Sequence, residues 1–371
     1  MENRVVRKTL IFQKFGKDVG DLLSRLKDEG ILKNSRRVQR NDNKLLKSSF
    51  YLQWHITKKC NLRCKHCYFK EHIGESVLQT LKKDFLKIEQ LSKSLGKKLI
   101  ITITGGEPLL YPQFFSLLHY LSTKMTVKEI HIASNGTLID DQLAARLKKY
   151  NVKKIQISID GIEKNHDAIR GKGSFKKAIN GVKILCKNGL KVSVQMVVNK
   201  KNIGDVDDIL EILKNLKVNE VRFSLFVPIG TGESLKNLAL SSSDVKQLFY
   251  KLEELSRKYK KPKILKGRPL WCLVNKKESG VCDFDSGICL MPNGDLYPCS
   301  RLPISIGNIR KQGIFEIWYN SDFMWLHRNF ENLKGKCHNC KFVKNCRGCR
   351  AMAFAYTGDH LMEDPTCWLN T

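Results

Sequence analysis

The sequence predicts an α/β fold in which a parallel sheet, open or barrel-like, is followed by a small cysteine-rich domain. Two observations carry this. From residue 50 onward, short Ile- and Val-rich runs alternate with helical patterns, and after about residue 262 Cys, Gly and Pro become dense. The strand candidates are 50–57, 99–104, 129–133, 154–159, 191–198 and 220–226, with helical patterns near 77–95, 112–124, 139–149, 174–188 and 204–216. Runs such as IITIT and IQISI suit burial in a parallel sheet, and six β-α repeats indicate a parallel α/β domain. Ligand chemistry in such sheets gathers at the C-terminal strand ends.

The chain of 371 residues is long enough for one large and one smaller domain. We expect a basic N-terminal extension over 1–48, a core domain over 49–262 and a cysteine-rich domain over 263–371. The extension carries 13 Lys/Arg against 6 Asp/Glu, with weak helical periodicity over 21–32 that would suit a partner-binding arm. Helical periodicity in the last domain survives mainly around 314–330, and its thin apolar content implies a fold held by metal. No run approaches the roughly 18–20 apolar residues of a membrane span, and the N-terminus lacks the apolar stretch of a secretory signal. A cytoplasmic location is expected. The net charge of +30 suits acidic peptides, carboxylate-rich molecules or nucleic acid. Lysines are scattered rather than concentrated on one element, which argues against a nucleic-acid stripe.

Twelve of the 13 cysteines fall in two zones, 60–67 and 272–367. In a reducing compartment such spacing points to metal or catalysis rather than disulfides. Cys186 stands alone in a helical stretch and reads as a small apolar residue. The first zone, KKCNLRCKHCY, follows the first strand. Cys60, Cys64 and Cys67 can bind three irons of a 4Fe–4S cluster and leave the fourth iron without a protein ligand. A zinc site would need a fourth donor, and His66 would strain to supply it from inside the loop.

CNLRCKHCY resembles the CxxxCxφC signature of the radical S-adenosylmethionine (SAM) superfamily, and three further stretches agree in order and spacing. After the second strand, Gly105, Gly106, Glu107 and Pro108 are similar to the family's GGEP motif. The resemblance implies contact with the amino group of SAM; paired glycines allow close backbone approach, and Glu107 offers an anionic acceptor. Ser134 and Asn135 resemble the SNG segment near SAM. Ser158, Asp160 and Gly161, then His166, Asp167, Arg170 and Gly171, resemble SIDG…HDxxRG. That block implies polar contacts to SAM from Ser158, Asp160 and Arg170, with His166 structural. The resemblance covers roughly 50–230. It implies a partial (β/α)6 barrel, SAM as cofactor, and a reducing partner such as ferredoxin or flavodoxin. The open iron would chelate SAM, whose reductive cleavage yields a hydrogen-abstracting 5′-deoxyadenosyl radical.

The second zone, CDFDSGICLMPNGDLYPC and CHNCKFVKNCRGC with Cys367 beyond, resembles a SPASM domain, which carries auxiliary 4Fe–4S clusters. Carried over by motif, one cluster uses Cys337, Cys340, Cys346 and Cys367. The other uses Cys282, Cys299 and Cys349, with Cys272 or Cys289 as fourth ligand or an open iron. The interval between Cys346 and Cys349 is one residue shorter than the family pattern. Arg301, beside this region, reads as solvent-facing. The resemblance implies a peptide or protein side chain as first substrate class and a haem or other cofactor precursor as second. Ser300 after Cys299 argues against the sulfatase-modifying branch. No side chain stands out as a catalytic acid or base. The reading from a different class is a zinc-containing nucleic-acid-binding protein.

Overall fold

The computed structural model describes residues 49–369 except 151 and 279; the helical stretch expected at 21–32 lies outside them. Ten strands are present among the described residues: β1 Ser49–Thr57, β2 Lys98–Gly105, β3 Val127–Ser134, β4 Lys154–Ser158, β5 Val192–Val198, β6 Glu220–Leu225, β7 Lys263–Ile264, β8 Gly287–Leu290, β9 Asp295–Tyr297 and β10 Gly307–Asn308. They form one sheet in the order β10-β9-β8-β1-β2-β3-β4-β5-β6-β7. Every pair from β8 through β1 to β7 is parallel, and only the β8-β9 and β9-β10 pairs are antiparallel. The six expected strands and five expected helical stretches all occur.

Helices cover one face: α1 Leu78–Ser94, α2 Phe114–Ser122, α3 Asp141–Lys149, α4 Glu163–Arg170, α5 Ser174–Lys187, α6 Val206–Asn215 and α7 Ser242–Lys258. The smaller helices α8 Trp271–Val274, α9 Ile314–Asn320, α10 Asp322–Arg328 and α11 Arg350–Thr357 follow. The stretch expected at 314–330 is thus two short helices, broken at Ser321, whose hydroxyl caps α10. Sequence-local caps fix the other starts. Asp140 accepts from Leu143 N at 2.7 Å before α3, and Ser241 and Asp244 form a reciprocal capping box before α7.

Strand alternation decides what each face holds. In β1, Phe50, Leu52, Trp54 and Ile56 are fully buried; Trp54 stacks on Phe85 of α1 and Phe50 meets Trp318 of α9 edge-on. Tyr51, Gln53, His55 and Thr57 take the opposite, inner face. The register continues that face through Thr102 and Thr104, His131, Gln156 and Ser158, Gln195, and Arg222 and Ser224. IITIT and IQISI thus divide between an apolar wall and a lumen face that carries Thr102, Thr104, Gln156 and Ser158, with Ile100 the apolar member of that face. Thr231 N, beyond β6, donates to Cys67 O, beyond β1, at 2.9 Å although four strands separate β1 from β6 in the sheet, so the sheet curls into a partial barrel.

The sheet and core run on across residue 262. β8 pairs with β1 in register Tyr51↔Gly287 to Trp54↔Leu290, and Leu290, Leu296, Ile309 and Trp318 join the same apolar core as Phe50 and Trp54. Arg310 also reaches back to Asp84 of α1 at 2.7 Å. The cysteine-rich segment shares its core with the barrel, which its own apolar content does not reveal.

Candidate SAM and iron–sulfur site

The first three cysteines sit on the loop after β1, and four other strand ends hold that loop. From β2, Gly106 N donates to Thr57 O and Glu107 N to Lys59 O, both at 2.8 Å. A Cβ on Gly105 would stand 2.2 Å from Thr57 O, and one on Gly106 2.3 Å from Lys59 O. The paired glycines let the cysteine loop lie directly on the end of β2. From β3, Asn135 Nδ2 donates to Asn61 Oδ1 at 2.8 Å and lies 3.9 Å from Cys60 Sγ. Beyond β6, Thr231 N donates to Cys67 O at 2.9 Å.

The β4 end supplies the tightest tie. Asp160 is fully buried. Its Oδ2 pairs with Arg170 Nε at 2.6 Å and with His66 Nε2 at 2.8 Å, and its Oδ1 accepts from Val197 N at 2.8 Å. Burial alone would raise its pKa, but the Arg170 guanidinium and then His66 outweigh burial and hold the carboxyl below the usual range. Arg170 Nη1 in turn lies 3.8 Å from Cys64 Sγ. His66 is thus turned to Asp160, leaving three thiols as the donors the loop presents. Burial raises the pKa of Cys60 and Cys64 and pushes that of Cys67 up to about 11. Deprotonated metal ligation would relieve that cost.

Glu107 is also fully buried. It accepts from Ser134 Oγ at 2.9 Å, Asn135 N at 2.8 Å and Leu109 N at 3.2 Å. The carboxylate therefore braces the Ser134–Asn135 turn and caps the short helix that Pro108 opens. Burial lifts its pKa to about 7 despite these donors. Ser158 ends β4 on the inner face. His166 accepts from Asp160 N at 3.1 Å through Nδ1, and burial lowers its pKa to about 4, which suits a neutral, structural imidazole. Asp167 accepts from Gly173 N and Phe175 N and so fixes the start of α5.

The remaining cysteines form two groups. Cys337, Cys340, Cys346 and Cys367 line one cavity with Leu270 and Phe342. The free thiol of Cys272 is hydrogen-bonded to that of Cys346. Cys282, Cys299 and Cys349 interact with one another and with Arg301. Cys289, buried on β8 beside Gln53, interacts with Cys299. Among the described residues no three His, Cys, Asp or Glu side chains close on a point as tightly as a single metal ion demands. Arg301, expected to face solvent, is half-buried: burial would lower its pKa, but the thiols of Cys349, Cys299 and Cys282 hold it up. Cys186 is half-buried against the core.

Sequence reasoning missed the His66–Asp160 bond, and it missed Arg222 and Arg268, which interact with Arg301. Parity contained the signal. Ser158 and Asp160 share a face with Gln156, and Arg222 in EVRFSL falls on the lumen side.

Comparisons with known proteins agree with this geometry. The pattern of the radical SAM superfamily matches residues 54–213, and that of the SPASM iron–sulfur cluster-binding domain matches 282–350. AdoMet-dependent heme synthase of Methanosarcina barkeri is 29% identical over 337 residues, covering 85% of this chain and 95% of its own. Mycofactocin maturase of Mycobacterium tuberculosis is 28% identical over 338 residues, covering 85% and 82%. SuiB of Streptococcus suis, solved bound to its precursor peptide SuiA, superposes with a TM-score of 0.70 at 18% identity, covering 95% of this chain and 80% of that one. No described helix is long and apolar enough to cross a membrane. With three thiols at the mouth of a partial barrel and two cysteine groups beyond, the chain is a radical SAM superfamily enzyme with a C-terminal SPASM auxiliary-cluster domain.

Proposed function

We propose that this enzyme abstracts hydrogen from a carboxylate-bearing small molecule of the haem-precursor kind, with oxidative decarboxylation of a side chain as the outcome: one hydrogen atom goes to the 5′-deoxyadenosyl radical, carbon dioxide leaves, and the remaining electron would pass to an iron–sulfur cluster. The observation that carries the reading is the lumen. The inner face of the sheet is largely polar from β1 to β6, interrupted by Ile100, Ala133 and Val197, and ends at the three-thiol loop, so a substrate side chain entering it meets the radical site. The near full-length similarity to heme synthase supports the substrate class. When bound, the cluster on Cys60, Cys64 and Cys67 supplies the electron that cleaves SAM. The chain's own part is placement. Asn135, and Arg170 held by Asp160, fix the thiols, while Gly105, Gly106, Glu107, Pro108, Ser134 and Ser158 form the strand-end floor on which SAM lies. Two auxiliary clusters are proposed, one on Cys337, Cys340, Cys346 and Cys367 and one on Cys282, Cys289, Cys299 and Cys349. The neighbourhood of Cys289 and Cys299 favours Cys289 over Cys272 as fourth ligand. The electron donor would be a ferredoxin- or flavodoxin-like protein.

A peptide side chain is the second reading, favoured by the similarity to mycofactocin maturase. The test uses anaerobically purified protein with SAM, dithionite and iron coproporphyrin. Expected are 5′-deoxyadenosine and a product lighter by the elements of formic acid per side chain. An unaltered porphyrin would refute the substrate, and undiminished 5′-deoxyadenosine from Cys64→Ala would refute the assigned cluster.

A further inference from the structure

We propose that Arg222, Arg268 and Arg301 form a carboxylate-binding site at the seam of the curled sheet, beside the second cysteine group, and that it takes the acidic side chains of the substrate. This rests on the small-molecule reading above and names the residues that would recognise its chemistry.

The three arginines come from separate elements. Arg222 lies on β6 in register with Gln195, so its side chain shares the lumen face with Gln195 and Ser158. Arg268 lies in the loop between β7 and α8, where its carbonyl accepts from Trp271 N. Arg301 follows β9, two residues past Cys299. All three are half-buried, and they lie near enough to act on one another: Arg301 on both of the others, and Arg222 on Arg268. Tyr51 of β1, whose hydroxyl bonds to Thr102 at 2.7 Å, shares the lumen face and acts on Arg222.

Like charges gathered at a partly desolvated place are costly unless anions compensate them. Elsewhere the fold supplies those anions: Arg170 has Asp160 at 2.6 Å and Arg310 has Asp84 at 2.7 Å. Among the described residues none of the three arginines makes an ion pair with a carboxylate, and Arg268 Nε is buried with no hydrogen-bond partner. Glu220, on the strand of Arg222, is already shared by Lys154 and Lys191. The thiols of Cys299 and Cys349 act on Arg268 and Arg301, whereas Arg222 has only Tyr51 and a share of the Glu220 carboxylate that Lys154 and Lys191 already hold. No carboxylate among the described residues is devoted to the three guanidinium groups. Guanidinium forks match carboxylates two bonds at a time, and three forks suit a ligand with two or more carboxylates.

The experiment titrates the full-length, cluster-loaded chain anaerobically with coproporphyrin III, which has four carboxylates, and with its tetramethyl ester, following porphyrin fluorescence. Arg222→Gln and Arg268→Gln are compared with the unsubstituted chain. Each loses a charged hydrogen-bonding group, so affinity for the free acid should fall about tenfold to hundredfold. The ester should bind weakly and equally to all three. Removing one of three unpaired like charges should leave urea stability unchanged or higher; a marked loss would mean that the arginine holds the fold, and would overturn the proposal. Undiminished affinity for the free acid in both variants would also overturn it while leaving the haem-precursor reading intact. If the unsubstituted chain binds neither porphyrin, a glutamate-rich peptide is titrated instead. Binding that depends on Arg222 then keeps the site and refutes the haem-precursor reading, whereas binding that does not depend on Arg222, or no binding at all, refutes the site.

Discussion

Replacing Asp160 by Asn tests the tie between the cysteine loop and the strand ends. The carboxylate serves three donors: Arg170 Nε at 2.6 Å, His66 Nε2 at 2.8 Å and Val197 N at 2.8 Å. An amide has one acceptor oxygen. Turned toward Arg170, it opposes its NH2 to Val197 N; turned toward Val197, it opposes the NH2 to Arg170 and His66. Either way Arg170 loses its counter-charge, and breaking a buried ion pair from one side costs about 3–5 kcal/mol. The expected loss is about 4 kcal/mol, a large share of the ~5–15 kcal/mol that holds a domain folded. Because the folded-state pKa of Asp160 is lowered, its stabilisation is present above the ordinary carboxylate range and lost only as pH falls through that depressed value. The difference between chain and variant should therefore be constant from about pH 5 to 8. Anaerobic urea unfolding followed by circular dichroism measures it, and the double variant Asp160→Asn/Arg170→Met completes a cycle. The double variant should cost less than the two single losses together by about 2 kcal/mol. A single loss below about 1 kcal/mol, or strict additivity, would refute the pairing.

Two further outcomes are expected. The Glu107 carboxyl has its pKa raised from 4.5 to about 7 by burial, so the folded chain keeps a proton that the unfolded chain has released. Stability should fall as pH rises from about 4.5 to about 7, by on the order of 3 kcal/mol, and Glu107→Gln should flatten that slope in urea midpoints measured across the range. Gly106→Ala sets a Cβ 2.3 Å from Lys59 O and 2.5 Å from Lys58 O, backbone atoms that yield only if the cysteine loop moves. Iron and sulfide content should drop, whereas Gly204→Ala, with nothing within 4 Å, should keep both; equal contents would refute the close fit.

The strands, the major helices and all the strand-end motifs were legible because each is local: alternation, caps and Gly-Gly or Ser-Asn-Gly turns lie within a few residues. What the sequence hides is encounter. His66 and Asp160 are 94 residues apart and meet only because the loop after β1 folds over the end of β4. Glu107 reads as an offered anion, yet its oxygens are occupied by Ser134 and Asn135, which the β2-β3 pairing brings alongside. Arg301 reads as surface because an arginine ordinarily faces solvent, and the thiols of Cys282 and Cys349 that act on it lie far along the chain.

The pairing of β8 with β1 gives the enzyme a fixed internal ruler. Cys289 stands opposite Gln53 in the ladder, while Cys60 follows seven residues after Gln53 on the same chain segment. The offset between the radical site and the second cysteine group is thus set by strand register, in steps of one residue, and not by a linker. An auxiliary domain cannot be exchanged at residue 262 as a separable module. A graft must bring a β8 of matching length and phase, or the exposed edge of β1 becomes a template for aggregation.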